Sequence, residues 1–120
     1  MKLFRPVGRN ELAKIEAAGM KAFPPRLPDQ PIFYPVLNFE YAEQIARDWN
    51  STRENHGHVG YVTEFDVDDA FLARYTVQTA GAASVHRELW IPAEELEEFN
   101  RNIIGEIRVV AAYQKGKRFS

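Results

Sequence analysis

Val59, Tyr61, Thr63, Phe65 and Val67 alternate with Gly60, Val62, Glu64 and Asp66 along one uninterrupted stretch. A period of two does not fit a helix and specifies a half-buried β-strand. Such a strand cannot stand alone, because its backbone amides and carbonyls need partners. Lys2 to Val7 reads as a short strand near one end of the chain, and Ile107, Val109, Ala111 and Tyr113 read as a last strand near the other. Lys115 to Ser120 reads as a frayed tail.

Three segments carry helical spacing. Asn10 can cap a helix whose Leu12, Ile15 and Ala18 share a face before Gly19 stops it. Asn38 can cap a second, in which Ala42, Ile45, Ala46 and Trp49 recur up to the polar loop from Asn50 to His58. Pro92 starts a third. Its Glu94, Glu95, Glu97 and Glu98 suit the positive end of the helix dipole, Leu96, Phe99 and Ile103 form the inward stripe, and Gly105 ends it. Between Lys21 and Pro35, Pro24, Pro25, Pro28, Pro31 and Pro35 each fix φ and remove a donor, which predicts a stiff surface loop. A turn is expected through Asp68 and Asp69, a strand over Arg74 to Thr79, a flexible turn over Gly81 to Ser84, and a strand over His86 to Ile91 with Leu89 and Ile91 on one face. About three short helices and five or six strands, irregularly interleaved, predict an α+β single domain over residues 1–114 with a mixed or mostly antiparallel split sheet.

With 120 residues there is room for one core, since chains divide into domains only at roughly 250 residues. Hydrophobic residues at 45% and charged residues at 27% provide enough apolar surface to offset chain entropy, which excludes wholesale disorder. The formal net charge of -2 provides no basic field to recruit nucleic-acid backbone without sequence preference. The absence of cysteine removes disulfides, thiolate nucleophiles and thiolate metal sites, so stability must come from packing. Met1 to Gly8 lacks the apolar stretch of a signal peptide, and no apolar run approaches the ~20 residues of a membrane helix. The expectation is a cytoplasmic protein with no membrane partner.

Arg5 and Glu88 stand out because each lies inside an apolar strand segment, where an unpaired charge is costly. They can form a structural pair, face water, or line a cleft. Alternation puts Glu88 on the face of His86 and Trp90, so its carboxylate can border a pocket with an aromatic wall. Phe33 and Tyr34 lie between Pro31 and Pro35, where a rigid backbone can offer a ring for stacking on a planar ligand or plug the core. His56, His58 and His86 lack a carboxylate at a recognised ligand spacing, and no metal is expected. Asp66, Asp68 and Asp69 lack the glycine and distal glutamate of a calcium loop and read as turn and cap residues. G-x-S-x-G, P-loop and G-x-G-x-x-G motifs are absent.

The order of these residues resembles the ADP-ribosyltransferase superfamily. Arg5 in Phe4-Arg5-Pro6, Tyr34 in Ile32-Phe33-Tyr34-Pro35 ahead of Glu40-Tyr41-Ala42-Glu43-Gln44-Ile45-Ala46, and Glu88 in Arg87-Glu88-Leu89-Trp90-Ile91-Pro92 occupy the places of a first-strand His or Arg, a central Tyr or Ser before a helix, and a late-strand Glu. Lys21 to Pro28 and Glu88 to Asn100 also look like small bacterial proteins labelled "ADP-ribosylation/crystallin J1". Crystallin J1 belongs with much larger all-helical ADP-ribosylglycohydrolases, whereas this chain is short and strand-rich, so the transferase half of that label fits better.

The resemblance implies NAD as substrate, lying across a sheet cleft. Arg5 would hold a ribose or phosphate oxygen, Tyr34 would stack on nicotinamide with Phe33, His86 and Trp90 beside it, and Glu88 would act as the catalytic carboxylate. An unknown acceptor, or water, would take the ADP-ribose. Position 86 is His where the arginine-modifying branches have Glu or Gln, so no acceptor is implied. The alternative is a non-catalytic relative that binds a nucleotide or a protein partner, as a regulator or immunity-type protein.

Overall fold

The alternating segment forms the centre of the sheet. In the computed structural model, which describes residues 1–79 and 86–120, strand β3 (Val59–Val67) is flanked by β1 (Lys2–Val7) and β7 (Ile103–Gln114), both antiparallel to it. Beyond β7, a turn at Lys115 and Gly116 leads into β8 (Lys117–Arg118), so the main sheet runs β1-β3-β7-β8. Lys115 and Gly116 have φ of 49° and 85°, the two positive angles of a hairpin turn whose twist matches its strands. The last residues therefore do not fray. Phe119 N donates to Ala112 O at 2.9 Å, tying them to the sheet.

The free edge of β1 is extended by a single residue. Val36 exchanges two backbone hydrogen bonds with Phe4, at 2.8 and 2.9 Å. On its other side Leu37 N donates to Arg87 O and Leu89 N to Pro35 O, which attaches β5 (Arg87–Glu88) and its partner β4 (Gln78–Thr79). The rung stays one residue long for local reasons. Pro35 has no amide hydrogen to continue it, and Asn38 begins a helix two residues later. A separate small sheet pairs β2 (Ile32–Phe33) with β6 (Ile91–Pro92).

There are four α-helices among the described residues, against about three expected: α1 (Arg9–Ala17), α2 (Phe39–Asp48), α3 (Asp69–Leu72) and α4 (Leu96–Arg101). Asn38 caps α2 as its sequence suggests, accepting from Tyr41 N at 2.8 Å. Asp68 does the same for α3, in keeping with its reading as a turn and cap residue, although no helix was expected there. The cap of α1 is Gly8 rather than Asn10, which lies inside the helix, because the chain turns directly out of β1. Pro92 belongs to β6, and α4 starts only after a 3-10 turn at Ala93–Glu95. Ile103 opens β7 instead of closing the helical stripe, because it pairs with Val67. Gly105, at φ 77°, sits within that strand where the register with β3 shifts. The segment from His86 to Ile91 is not one strand. Its first part bonds to Pro35 and its end turns across to Phe33. Of Arg74 to Thr79 only Gln78–Thr79 is strand, and Gly81 to Ser84 lie outside the described residues.

Both faces of the sheet are covered. On one, Leu3, Phe65 and Ile107 meet Phe23, Phe33, Phe71, Phe99 and Ile91, with Phe23 5.0 Å from Phe33 and 4.9 Å from Phe65 between ring centres. These tilted and edge-on ring pairs form the main core. On the other, Ala42 and Ala46 of α2 pack on Phe4, Val62, Ala111 and Tyr113. The even face of β3 is thus polar only at Glu64 and Asp66, while Gly60 and Val62 are buried. The result is a single α+β domain with antiparallel pairing throughout the described sheets. Among the described residues, no helix is long and apolar enough to cross a membrane.

Gly60 sets how closely α2 approaches. A Cβ there would lie 2.1 Å from the Ala46 carbonyl oxygen, which is backbone and cannot swing aside. Gly60→Ala is expected to lower the unfolding free energy by about 1–3 kcal/mol or more through overpacking. Chemical denaturation checks this, and an unchanged midpoint would mean that α2 does not pack as described.

Candidate functional site

Arg5 on β1 and Glu88 on β5 border one cavity of about 520 Å³ on either side of the Val36 rung. Arg26, Tyr34, Tyr41 and Trp90 share its wall, with Ile45, Trp49 and Asn50 of the α2 end completing it. The strands carrying Arg5 and Glu88 are separated by one residue rather than adjacent.

Arg5 and Glu88 do not pair with each other. The partner of Arg5 is Glu11, which the first turn of α1 carries back over β1. Arg5 Nε donates to Glu11 Oε2 at 2.7 Å and Nη2 to Glu11 Oε1 at 3.0 Å. Arg5 Nη1 reaches the Tyr34 carbonyl at 3.4 Å. The guanidinium lies 4.6 Å above the Phe33 ring.

Glu88 is only 8% exposed and has no cation on it among the described residues. Its two oxygens accept from uncharged donors: the Tyr41 hydroxyl to Oε1 at 2.9 Å and the Trp90 indole Nε1 to Oε2 at 2.8 Å. Burial, reinforced by that bond and the negative charge behind it, pushes the Tyr41 phenol up to about 12, so it stays a donor at neutral pH. The Glu88 carboxylate lines the cavity with both oxygens held by uncharged donors and no cation on it among the described residues.

The remaining sequence-predicted residues divide. Tyr34 is 42% exposed and lines the cavity, and Trp90 lines it while donating to Glu88. Phe33 is 1% exposed and belongs to the aromatic core, so it touches the site only as the floor beneath Arg5. His86 is not among the lining residues. It stacks on Tyr41 with ring centres 4.6 Å apart, and its Nε2 meets Gln44 Oε1 at 3.1 Å. Among the described residues, no group of three or more His, Asp or Glu side chains is arranged to hold a metal ion.

Sequence reasoning missed Tyr41 and Arg26. Tyr41 lies at the border of the Ala42 and Ala46 stripe, which hides a polar role behind an ordinary amphipathic pattern. Arg26 was passed over as part of the proline loop. It makes no hydrogen bond or ion pair among the described residues, and its Nε is buried without a partner. Burial, and then the nearby Arg5 guanidinium, lower its affinity for the proton relative to an ordinary arginine. A cation in the midst of prolines, where the backbone fixes its direction, was the available signal.

Comparison of the chain with protein-family models, curated proteins and solved structures finds no match. What the site can do must therefore be argued from its own geometry.

His56, beside Asn50 and against Gly8, offers a pH test of this region. Burial holds its ring below the ordinary value of 6.5, which outweighs the opposing effect of Glu11. A depressed histidine favours the neutral form in the fold, so its contribution is complete above 6.5 and is lost as pH falls through the lower folded value. Stability measured from pH 7 down to about 5 should fall less steeply in His56→Gln than in the wild type. Parallel profiles would show that the ring is freely solvated.

Proposed function

We propose that the chain has an ADP-ribosyltransferase-like fold and consumes NAD, transferring ADP-ribose to an unknown acceptor or to water. The observation that carries this reading is the Glu88 carboxylate, buried beside the cavity, fixed by two neutral donors and left without a countercation. A preorganised negative charge of this kind stabilises positive charge that appears only in a transition state. Loss of nicotinamide from NAD generates such a charge on the ribose, as in glycoside cleavage. The carbon–nitrogen bond breaks with its electron pair leaving on nicotinamide. An acceptor nucleophile or water then bonds to the same carbon and loses its proton. Tyr34 and Trp90 supply aromatic surface for the planar base, and Arg5 and Arg26 supply cations for the phosphates. The cavity volume suits a small-molecule ligand.

One observation favours a binding protein without catalysis. Both arms of the Arg5 fork that face Glu11 are already occupied, so a ligand finds only its remaining donors. A nucleotide-binding relative needs no more than that.

Glu88→Gln separates the two readings cleanly. The glutamine oxygen can accept from the Trp90 indole while its amide donates to the Tyr41 hydroxyl, which rotates to accept, so the fold loses no partner. Under the transferase reading NAD affinity stays nearly unchanged while nicotinamide release falls by roughly 100-fold or more, with candidate acceptors present. Binding of NAD or ADP-ribose should raise the melting temperature, and Tyr34→Ala should remove most of that rise at little cost to the free protein. Equal, acceptor-independent nicotinamide levels in wild type and Glu88→Gln would exclude catalysis at this residue.

A further inference from the structure

The cavity beside Glu88 extends along one face of α2. Tyr41, Ile45 and Trp49 recur every four residues, which aligns them on one side of the helix, and all three line the space. Ala42 and Ala46 lie on the neighbouring side and pack on the sheet. Tyr41 is the residue bonded to Glu88, and at 1.5 Å per residue Trp49 lies about 12 Å further along the helix axis. The cavity thus has a second aromatic end, away from the carboxylate.

Trp49 is 53% exposed. One exposed aromatic side chain is ordinary, but both tryptophans of the chain line this cavity, and both are about half exposed. Its backbone is fixed: Trp49 N donates to Ile45 O at 2.9 Å, and Trp49 O accepts from the Thr52 hydroxyl at 3.1 Å. The Arg53 guanidinium lies 3.9 Å from the centre of the indole, a cation–π stack. Among the described residues that guanidinium makes no hydrogen bond or ion pair, and the Trp49 indole N–H makes no hydrogen bond. The carboxylate next to Trp49 in the chain, Asp48, is already held by Arg47 through two bonds at 2.9 and 3.1 Å. This end therefore combines an exposed ring, an unengaged N–H donor and a cation whose donors are all unengaged.

We propose that Trp49 and Arg53 form a nucleotide-binding station at this end of the cavity, with a heteroaromatic base stacked on the indole and a phosphate paired with the guanidinium. A base offers a π-face to the ring, and a phosphate matches the fork of arginine donors. An apolar ligand would leave those donors unused, and an inorganic anion would leave the indole uncovered. The inference rests on the reading of this cavity as a nucleotide site, and it does not depend on chemistry at Glu88. The nucleotide is either the second half of a dinucleotide whose other ring meets Tyr34, or a separate molecule that accepts ADP-ribose.

The probe is adenosine 5′-monophosphate, titrated by calorimetry into wild type, Trp49→Leu and Arg53→Gln and followed at the two indole N–H resonances of the isotope-labelled protein. Both side chains are exposed, so both variants should melt close to the wild type. The expected result is saturable binding that moves the Trp49 indole resonance more than that of Trp90. Affinity should weaken by about tenfold or more in Trp49→Leu and severalfold in Arg53→Gln. Ribose 5-phosphate, which lacks the base, should leave the Trp49 resonance in place. Repeating the titration with saturating ADP-ribose assigns the source. Competition means that the station holds the adenosine end of the dinucleotide, and independent binding means that it serves a separate nucleotide. No binding, a larger shift at Trp90 than at Trp49, undiminished affinity in either variant, or an equal Trp49 shift with ribose 5-phosphate would overturn the proposal. Should Trp49→Leu fail to fold, Arg53→Gln carries the test, because its guanidinium bonds to no other described residue. Nicotinamide release without binding of the monophosphate would leave the Glu88 reading standing, and binding without NAD turnover would leave the station alone.

Discussion

The arrangement of charge in this protein depends on a single backbone rung. Val36 directs its own amide and carbonyl to Phe4, which leaves the Pro35 carbonyl and the Leu37 amide for the strand that carries Glu88. Without that rung, β4 and β5 would be separate from the main sheet, and nothing in the backbone would set the distance between Arg5 and Glu88. With it, a carboxylate and a guanidinium face one space without touching. Proline at 35 and the helix cap at 38 limit the rung to one residue, and the chain on either side is free to line the cavity instead of extending the sheet.

The electrostatics follow from that separation. Arg5 is neutralised by Glu11 from its own neighbourhood, six residues along the chain, so Glu88 is left without a cation. Tyr41 and Trp90 fix the carboxylate without cancelling its charge. Arg26, held by the proline loop, contributes a positive charge that makes no direct ion pair among the described residues, although the Glu11 carboxylate lies close enough to act on it. The cavity therefore carries the Glu88 carboxylate and the Arg26 guanidinium at separate points of its wall, with Tyr34, Tyr41 and Trp90 supplying aromatic surface. A polar ligand with a phosphate at one point and a developing positive charge at another matches that pattern.

The sequence revealed the strands at both ends and in the middle because their pattern was local: the alternation in β3 and the cap at Asn38 depend on near neighbours alone. It misjudged what depends on distant partners. Ile103 looked helical by spacing with Leu96 and Phe99, but pairing with Val67 draws it into β7. Lys115 and Gly116 looked like the start of a tail, although their suitability for a hairpin turn was visible in the glycine. Arg5 and Glu88 were legible as oddities, since charge inside an apolar strand is conspicuous. Their roles were not, because Glu11, Tyr41 and Arg26 come from other elements whose approach no short pattern encodes. Phe33 was open to two readings, a ring offered to a ligand or a plug for the core, and it lies in the core, since the loop that carries it adds β2 to a small sheet.

The most direct measurement is a chemical-shift map of ADP-ribose binding on the isotope-labelled protein, followed at the Trp90 indole N–H and at the backbone amides of Val36 and Glu88. The account predicts saturable shifts concentrated at these groups and at Tyr34 and Arg26, because they line or support one cavity. Shifts confined to another face, or a spectrum unchanged at saturating ligand, would contradict it.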